Sequence, residues 1–250
     1  MSVEAALPTA HAPAVRGAPF VGALLRIVEI LAAIALAADL ALVIIAVLWR
    51  FVFNDTILWA DEVARMLLIT VAFLGGAAAV AKGNHVGIRI LRDKLAPQRA
   101  SRVEAAGLWI ELGVTLAVAV FAIEYCESAS TQVTSTGLPQ NLFMYPLIVG
   151  GFCMAIFTAA RLLAYPRADI AMGLAGLLVL AGVVTLWTTL LPDHAPSPLV
   201  LMLGGFAICL SSGVPIAFSL CVGALLYILG DGFIPFAVFA QQASSGIDNS

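Results

Sequence analysis

The sequence predicts an all-α integral membrane protein, and composition and segment length are the two observations behind this. Of its 250 residues, 62% are hydrophobic and only 11% are charged, whereas a soluble domain carries about 25% charged residues. Apolar stretches of about 20 residues recur, and as a helix each is long enough to cross a hydrocarbon core of about 30 Å. The short alternating segments of a membrane barrel are absent.

Five apolar segments and one longer, broken run follow one another along the chain. They cover residues 27–49, 64–81, 105–124, 143–163, 170–191 and 198–229. The last run contains Gly213-Val214-Pro215, and proline removes a backbone donor and disfavours helix in the residue before it. We therefore expect either one long kinked helix or a tight hairpin there.

The basic residues predict the orientation in the membrane. All 12 Lys and Arg lie before residue 168. The connection between the second and third segments holds six of them: Lys82, Arg89, Arg92, Lys94, Arg99 and Arg102. Because short cytoplasmic loops carry the excess of basic residues, this connection and the N-terminus are predicted to be cytoplasmic. The 50–63 and 125–142 connections are then periplasmic.

Residues 86–95 mix apolar side chains with Arg89, Arg92 and Lys94. This pattern favours an amphipathic helix lying along the cytoplasmic membrane surface. An ordinary basic connecting loop is the alternative.

Polar residues gather where the second segment begins, at Trp59, Asp61, Glu62 and Arg65. One interpretation is an interfacial Trp followed by a helix start whose acids favour the helix dipole, with Arg65 reaching the headgroups. In the other, Arg65 forms a buried link to Asp39 in the first segment, because an unpaired charge in hydrocarbon is costly. Pairing of Arg65 with Asp61 and Glu62 on its own helix is the local alternative.

Asp39 and Glu111 are carboxylates inside apolar segments, and such residues suggest either a proton or cation relay or bonding to a neighbouring helix. We favour the structural role. Gly75, Ala79 and Gly83 recur every four residues, with Gly76 and Ala72 beside them, which predicts a face for close helix packing. His85 has no second ligand at metal spacing, so we interpret it as a structural or interface residue.

The sequence offers no candidate for enzymatic chemistry. It has no phosphate-binding loop, nucleophile elbow or HExxH motif. Its four cysteines lack CxxC spacing and are interpreted as packing residues: Cys126, Cys153, Cys209 and Cys221. We therefore predict no catalytic, cofactor-binding or metal residues, and no nucleic-acid partner.

Several short motifs nevertheless occur in a familiar order. They are Trp59 with Glu62 and Arg65, the stretch Phe73-Leu74-Gly75-Gly76-Ala77, His85, Gly137-Leu138-Pro139, Tyr145-Pro146 and Gly150. Over roughly residues 20–167 the chain resembles the small, DctQ-like membrane subunit of TRAP (tripartite ATP-independent periplasmic) transporters. Gly213-Val214-Pro215-Ile216-Ala217, with Gln241, Gly246 and Ile247, resembles the start of the family's large, DctM-like subunit.

The resemblance implies a domain organisation. Residues 1–22, rich in Ala and Pro, are expected to form a disordered cytoplasmic tail. Residues 23–167 form a four-helix small-subunit-like domain, and residues 168–196 a connector transmembrane helix. Residues 197–250 begin a large-subunit-like domain, which we expect to be incomplete.

The resemblance also implies a function. It points to a sodium-coupled importer (a symporter) of organic anions such as C4-dicarboxylates or sugar acids, located in the bacterial inner membrane. The expected partners are the remainder of the large subunit, a periplasmic substrate-binding protein and the lipid bilayer. Sodium would be the coupling ion, and its site and the substrate site are expected beyond residue 250.

This part of the importer would act mainly as a scaffold for the transport domain. The binding protein is predicted to dock on the 54–61 connection and on a polar loop at Ser128, Ser130, Thr131, Gln132 and Thr134. The alternative is a structural membrane assembly protein or a small channel without a transporter partner.

Overall fold

A computed structural model describes residues 19–83, 95–130, 133–134, 137–190 and 197–231, and these form an all-α fold, as predicted. The seven α-helices are α1 (Pro19–Phe53), α2 (Leu58–Lys82), α3 (Pro97–Ala129), α4 (Met144–Leu162), α5 (Arg167–Leu190), α6 (Pro198–Ser211) and α7 (Ile216–Asp231). The predicted amphipathic helix falls almost wholly outside the described residues.

Four of these helices, α1 to α4, are long and apolar enough to cross a membrane. α2 and α3 begin before the apolar segments that predict them, because their polar first turns continue the helix beyond the hydrocarbon layer. α1 already includes Pro19 to Gly22, so it overlaps the end of the predicted tail. The 24 residues of α5 give a helix of about 36 Å, which is long enough for the predicted connector span.

Backbone chemistry explains several helix ends. Gly83 ends α2 in the left-handed conformation, with φ of 67°, and its N–H bonds to the carbonyls of Ala79 and Val80. This is the usual glycine C-cap. α6 begins with Pro198 after Ser197, whose hydroxyl accepts a hydrogen bond from the N–H of Val200. Such an N-cap satisfies one of the free donors of the first turn.

The core of the bundle lies between α2, α3 and α4. Gly150 and Gly151 let α4 approach both neighbours closely. A Cβ added at Gly150 would lie 2.5 Å from Phe73 Cβ on α2, and one at Gly151 would lie 3.1 Å from Ala119 Cβ on α3. Small residues at such contacts allow two backbones to pack, as in other membrane helix pairs.

The prediction that Gly75 belongs to the close-packing face of α2 is wrong. A Cβ at Gly75 would meet nothing within 4 Å, whereas one at Gly76 would lie 2.6 Å from Met154 Cε on α4. One residue turns a helix face by about 100°. The tight contact with α4 therefore uses Phe73 and Gly76, and of the two adjacent glycines in the prediction only Gly76 lies at this contact.

α6 and α7 form a tight hairpin, which decides between the two shapes expected for this run. Gly230, near the end of α7, packs against Pro198 at the start of α6, and Gly223 packs against Met202. Gly213 makes the turn with φ of 92°. The two helices have 14 and 16 residues, about 21 and 24 Å, so each is too short to cross the hydrocarbon core.

The tip of this hairpin contacts the four-helix bundle. Val214 is almost fully buried, and its Cγ2 would lie 3.4 Å from a Cβ added at Gly107 on α3. Gly107 is ten residues from the start of α3 at Pro97, about 15 Å along the helix axis. The contact therefore lies two residues into the apolar segment of α3, residues 105–124, near the end at which that helix begins.

Candidate functional site

A polar contact joins the start of α2 to the loop before α4. Glu62 is buried although it lies in the first turns of α2. The hydroxyl of Thr134 donates a hydrogen bond to Glu62 Oε2 at 2.8 Å. The same hydroxyl accepts one from the N–H of Leu138 at 3.1 Å, and the Thr134 N–H bonds to the Leu138 carbonyl. We call the Glu62–Thr134 contact the loop latch.

The structure places the other predicted residues of this end at the surface. Trp59, Asp61 and Arg65 are exposed. Ser130 is also exposed, and its hydroxyl donates to the Glu127 carbonyl within its own turn. His85, Thr131 and Gln132 and the side chain of Ser128 lie outside the part of the chain that the structure describes.

The Arg65–Asp39 link is not formed through the buried oxygen of Asp39. Oδ1 of Asp39 is enclosed and has no hydrogen-bond partner among the described residues. Arg65 lies only seven residues into α2, near the α1–α2 turn, and Asp39 lies fourteen residues before the end of α1 at Phe53. The difference corresponds to about 10 Å along antiparallel helices, and Arg65 is directed to the surface instead.

Glu111 bonds to a neighbouring helix, which agrees with the structural role favoured from the sequence. Thr158 on α4 donates a hydrogen bond to Glu111 Oε1 at 3.1 Å, and Nη1 of Arg161 lies 3.7 Å from the same oxygen. Nη1 of Arg161 also donates to the carbonyl of Val80 on α2 at 3.2 Å. These four residues, the buried polar cluster, join α2, α3 and α4.

The sequence pattern alone does not identify Arg161 as the partner of Glu111. The sequence does contain a signal for this contact. Thr158 and Arg161 are three residues apart and so share one helix face, and the arginine side chain is long enough to bring its charge back into the bundle. Only the packing of α4 on α3 shows that this face meets Glu111.

An ion pair joins α1 to α2 at the end opposite their connecting turn. Lys82 Nζ lies 2.7 Å from Glu29 Oε1. Glu29 Oε1 is enclosed and has no hydrogen-bond partner among the described residues, so the contact is a charge pair.

α5 is fastened to α3 by side chains near its start. Asp169 accepts a hydrogen bond from Ser101 at 2.7 Å and pairs with Nε of Arg102 at 3.4 Å. Nε1 of Trp109 donates to the carbonyl of Ile170 at 3.1 Å. Gly173 lies against the α3 backbone, where an added Cβ would be 2.9 Å from the Ala106 nitrogen. We call these contacts the α3–α5 junction.

Three groups of polar side chains thus join separate elements of the described structure. Within the described ranges, no group of three or more His, Cys, Asp or Glu side chains is arranged to hold a metal ion. The loop latch, the buried polar cluster and the α3–α5 junction each satisfy polar groups that would be costly to leave alone in an apolar environment.

A family model and several known proteins that match this chain all belong to TRAP transporters. The family model for tripartite ATP-independent periplasmic transporters, DctQ component, matches residues 39–167. The chain is 30% identical over 131 residues to the sialic acid TRAP transporter small permease protein SiaQ of Vibrio cholerae, covering 52% of this chain and 75% of that protein. It is 27% identical over 139 residues to a putative TRAP transporter small permease protein of Haemophilus influenzae, covering 55% and 86%.

A third relative extends the relationship. The isethionate TRAP transporter permease protein DctMQ of Oleidesulfovibrio alaskensis is 28% identical over 204 residues. This match covers 76% of the present chain, a larger share than the DctQ match, and 30% of the relative. Together with the helical architecture, these matches show that the chain belongs to the TRAP transporter family, as a DctQ component fused to the beginning of a DctM-like component.

Proposed function

We propose that this chain is the scaffold of a sodium-coupled TRAP importer and holds the transport domain in the inner membrane. Family membership supports a role in TRAP transport. The observation that carries the scaffold role is that α3 contacts both later parts of the chain: α5 through the α3–α5 junction, and the α6–α7 hairpin through Gly107 and Val214.

An attachment of this kind needs several contacts in different directions, because a single contact leaves rotation free. The α3–α5 junction combines a charge pair, a hydrogen bond to backbone and a close glycine contact. The hairpin tip adds a contact at Gly107, one residue after Ala106 and therefore on a neighbouring face of the same part of α3. Contacts on two faces of α3 restrict the direction of the following chain relative to the bundle.

The proposed substrate is a small organic anion. The named relatives transport sialic acid and isethionate, which carry a carboxylate and a sulfonate. Coupling to sodium and delivery by a periplasmic binding protein follow from the family resemblance and belong to this proposal. The loop latch supports docking at this end of the bundle, because it holds the loop before α4 beside the start of α2.

The orientation of the chain is part of the proposal and has a direct test. Cysteines introduced at Asn84 and Ser130 should differ in accessibility in intact cells. A membrane-impermeant thiol reagent should label Ser130→Cys from the periplasm and leave Asn84→Cys unlabelled. Periplasmic labelling of Asn84→Cys would reverse the proposed topology.

The scaffold role is tested by a matched pair of glycine substitutions in α5. Gly173→Leu inserts a side chain against the α3 backbone, whereas a Cβ at Gly176 meets nothing within 4 Å. The complete permease is reconstituted in liposomes with its binding protein, a sodium gradient and a radiolabelled organic anion.

Gly173→Leu should lower uptake at least tenfold at normal protein yield, and Gly176→Leu should leave uptake unchanged. Equal uptake by the two variants would contradict the scaffold role. Uptake by the parent protein that does not depend on the sodium gradient would contradict the proposed coupling.

A further inference from the structure

A cavity of about 290 Å³ lies between α1 and α2 beside their connecting turn. Leu42, Val43 and Val47 form part of its α1 wall, and their spacing places them along one side of that helix. The α2 wall is apolar at Ala60 and Ala64. The helix surfaces that face the cavity at these positions are therefore apolar. The cavity lies beside the α1–α2 turn, where the chain enters the membrane.

Two opposite charges line the same cavity. Arg50 approaches it from the last turn of α1, and Asp61 from the first turn of α2. Both side chains are exposed, and no ion pair within 4.0 Å joins them in the described structure. The cavity thus presents a cation and an anion that are available to a third group.

The size of the cavity limits what can occupy it. Pockets that enclose drug-sized ligands have volumes of about 300–1,000 Å³, so this cavity takes a compact polar group and excludes a whole lipid. The α1 surface around it is apolar and exposed at Ile44, Ile45 and Leu48. Acyl chains attached to a bound headgroup have that surface to lie against.

We propose that this cavity binds the headgroup of phosphatidylethanolamine. The phosphate lies against the Arg50 guanidinium, whose planar donors match phosphate oxygens. The ammonium group donates hydrogen bonds to the Asp61 carboxylate, which accepts them at both oxygens. Phosphatidylglycerol has no cation for Asp61, and phosphatidylcholine has a cation without N–H donors. Both should therefore bind more weakly.

The two charges also have a purely local explanation, which the test must separate from lipid binding. A cation in the last turn of a helix and an anion in the first turn are each favoured by the helix dipole. That effect does not depend on which lipid is present. Lipid binding, in contrast, predicts a difference between headgroups that disappears when either charge is removed.

The experiment uses the purified permease in nanodiscs that contain equal amounts of phosphatidylethanolamine, phosphatidylglycerol and phosphatidylcholine. Native mass spectrometry then counts the lipids that remain bound after release. Parent protein should retain one phosphatidylethanolamine. Arg50→Gln and Asp61→Asn should each reduce its retention about tenfold, the effect of one lost charge-assisted hydrogen bond, and Asp61→Glu should restore most of it.

Two variants serve as matched controls. They are Arg26→Gln, near the opposite end of α1, and Asp55→Asn, in the α1–α2 turn but outside the cavity lining. Both should retain phosphatidylethanolamine as the parent does. Three outcomes would overturn the proposal. They are unchanged retention in Arg50→Gln, equal retention of all three lipids by the parent protein, and absence of any retained lipid because a protein segment fills the cavity.

Discussion

α4 and α1 are both apolar enough to cross a bilayer, but protein covers much more of α4. Nine of the 19 residues of α4 are buried, compared with three of the 35 residues of α1. The more apolar of the two, α1, is the more exposed. Hydropathy therefore identifies helices that lipid can solvate. Small residues such as Gly150 and polar residues such as Thr158 instead identify the helix that packs against other helices.

The largest expected effect comes from the contact between Arg161 on α4 and Glu111 on α3. Arg161→Leu removes the cation beside buried Glu111 and should lower the free energy of unfolding by about 3–5 kcal/mol, because the charge left behind is unpaired. Unfolding in mixed micelles measures this change. Adding Glu111→Leu should recover most of the loss. Losses that simply add in the double variant would mean that the two residues do not interact.

A glycine pair tests the close packing of α4 against a site without close neighbours. Gly150→Ala places a Cβ within contact distance of Phe73 and should cost about 1–3 kcal/mol of unfolding free energy through overpacking. Gly75→Ala, whose Cβ meets nothing within 4 Å, should be neutral or slightly stabilising because alanine favours helix. Equal effects at both glycines would contradict the packing described for α2 and α4.

The loop latch should have a smaller and more local effect. Thr134→Val keeps the shape of the side chain but removes its hydroxyl, and should weaken the attachment of the loop by about 1 kcal/mol. Limited proteolysis between α3 and α4 should then be about fivefold faster. Ser130→Ala, which loses only a bond within its own turn, is the control. The same cleavage rate in both variants would contradict the latch.

The smallest effect is expected on α1. Leu40 is 61% exposed and Val28 is 2% exposed. Leu40→Ala should change the free energy of unfolding by less than about 0.5 kcal/mol, because lipid replaces the lost contacts. Val28→Ala should cost about 1–2 kcal/mol. A loss at Leu40 as large as that at Val28 would show that another protein surface covers this face of α1.

The sequence was sufficient to predict the four helices α1 to α4 that are long and apolar enough to cross a membrane, since long apolar segments have few alternatives to membrane helices. It also identified Glu111 and Glu62 as acidic residues in or near apolar segments, whose charges need a partner. It did not predict their partners, Thr158 with Arg161 and Thr134, because these lie 47 to 72 positions away along the chain. Contacts between residues so far apart in the sequence depend on how the helices pack, and the periodicity of a single helix does not show this.

The Arg65–Asp39 prediction shows the same limit. Both residues are charges near or inside apolar segments, but the apolar pattern does not show how they are offset along their helices. Asp39 lies fourteen residues before the end of α1 and Arg65 seven residues into α2, so the two are about 10 Å apart along the helix axes. The hairpin of α6 and α7 was left open for a related reason, because Gly213-Val214-Pro215 interrupts a helix without fixing the angle that follows.

The length of α1 has a consequence for its geometry in the bilayer. Its 35 residues extend about 52 Å, and fitting all of them into a hydrocarbon layer of about 30 Å would need a tilt of about 55°, beyond the observed range of about 0–40°. Part of α1 therefore stands outside the layer. Trp49 and Arg50 mark the boundary at one end, and Glu29 lies twenty residues before Trp49, about 30 Å along the helix. The Glu29–Lys82 pair therefore lies at the opposite boundary, where both side chains are partly exposed, and a pair that salt can screen adds at most about 1 kcal/mol to stability.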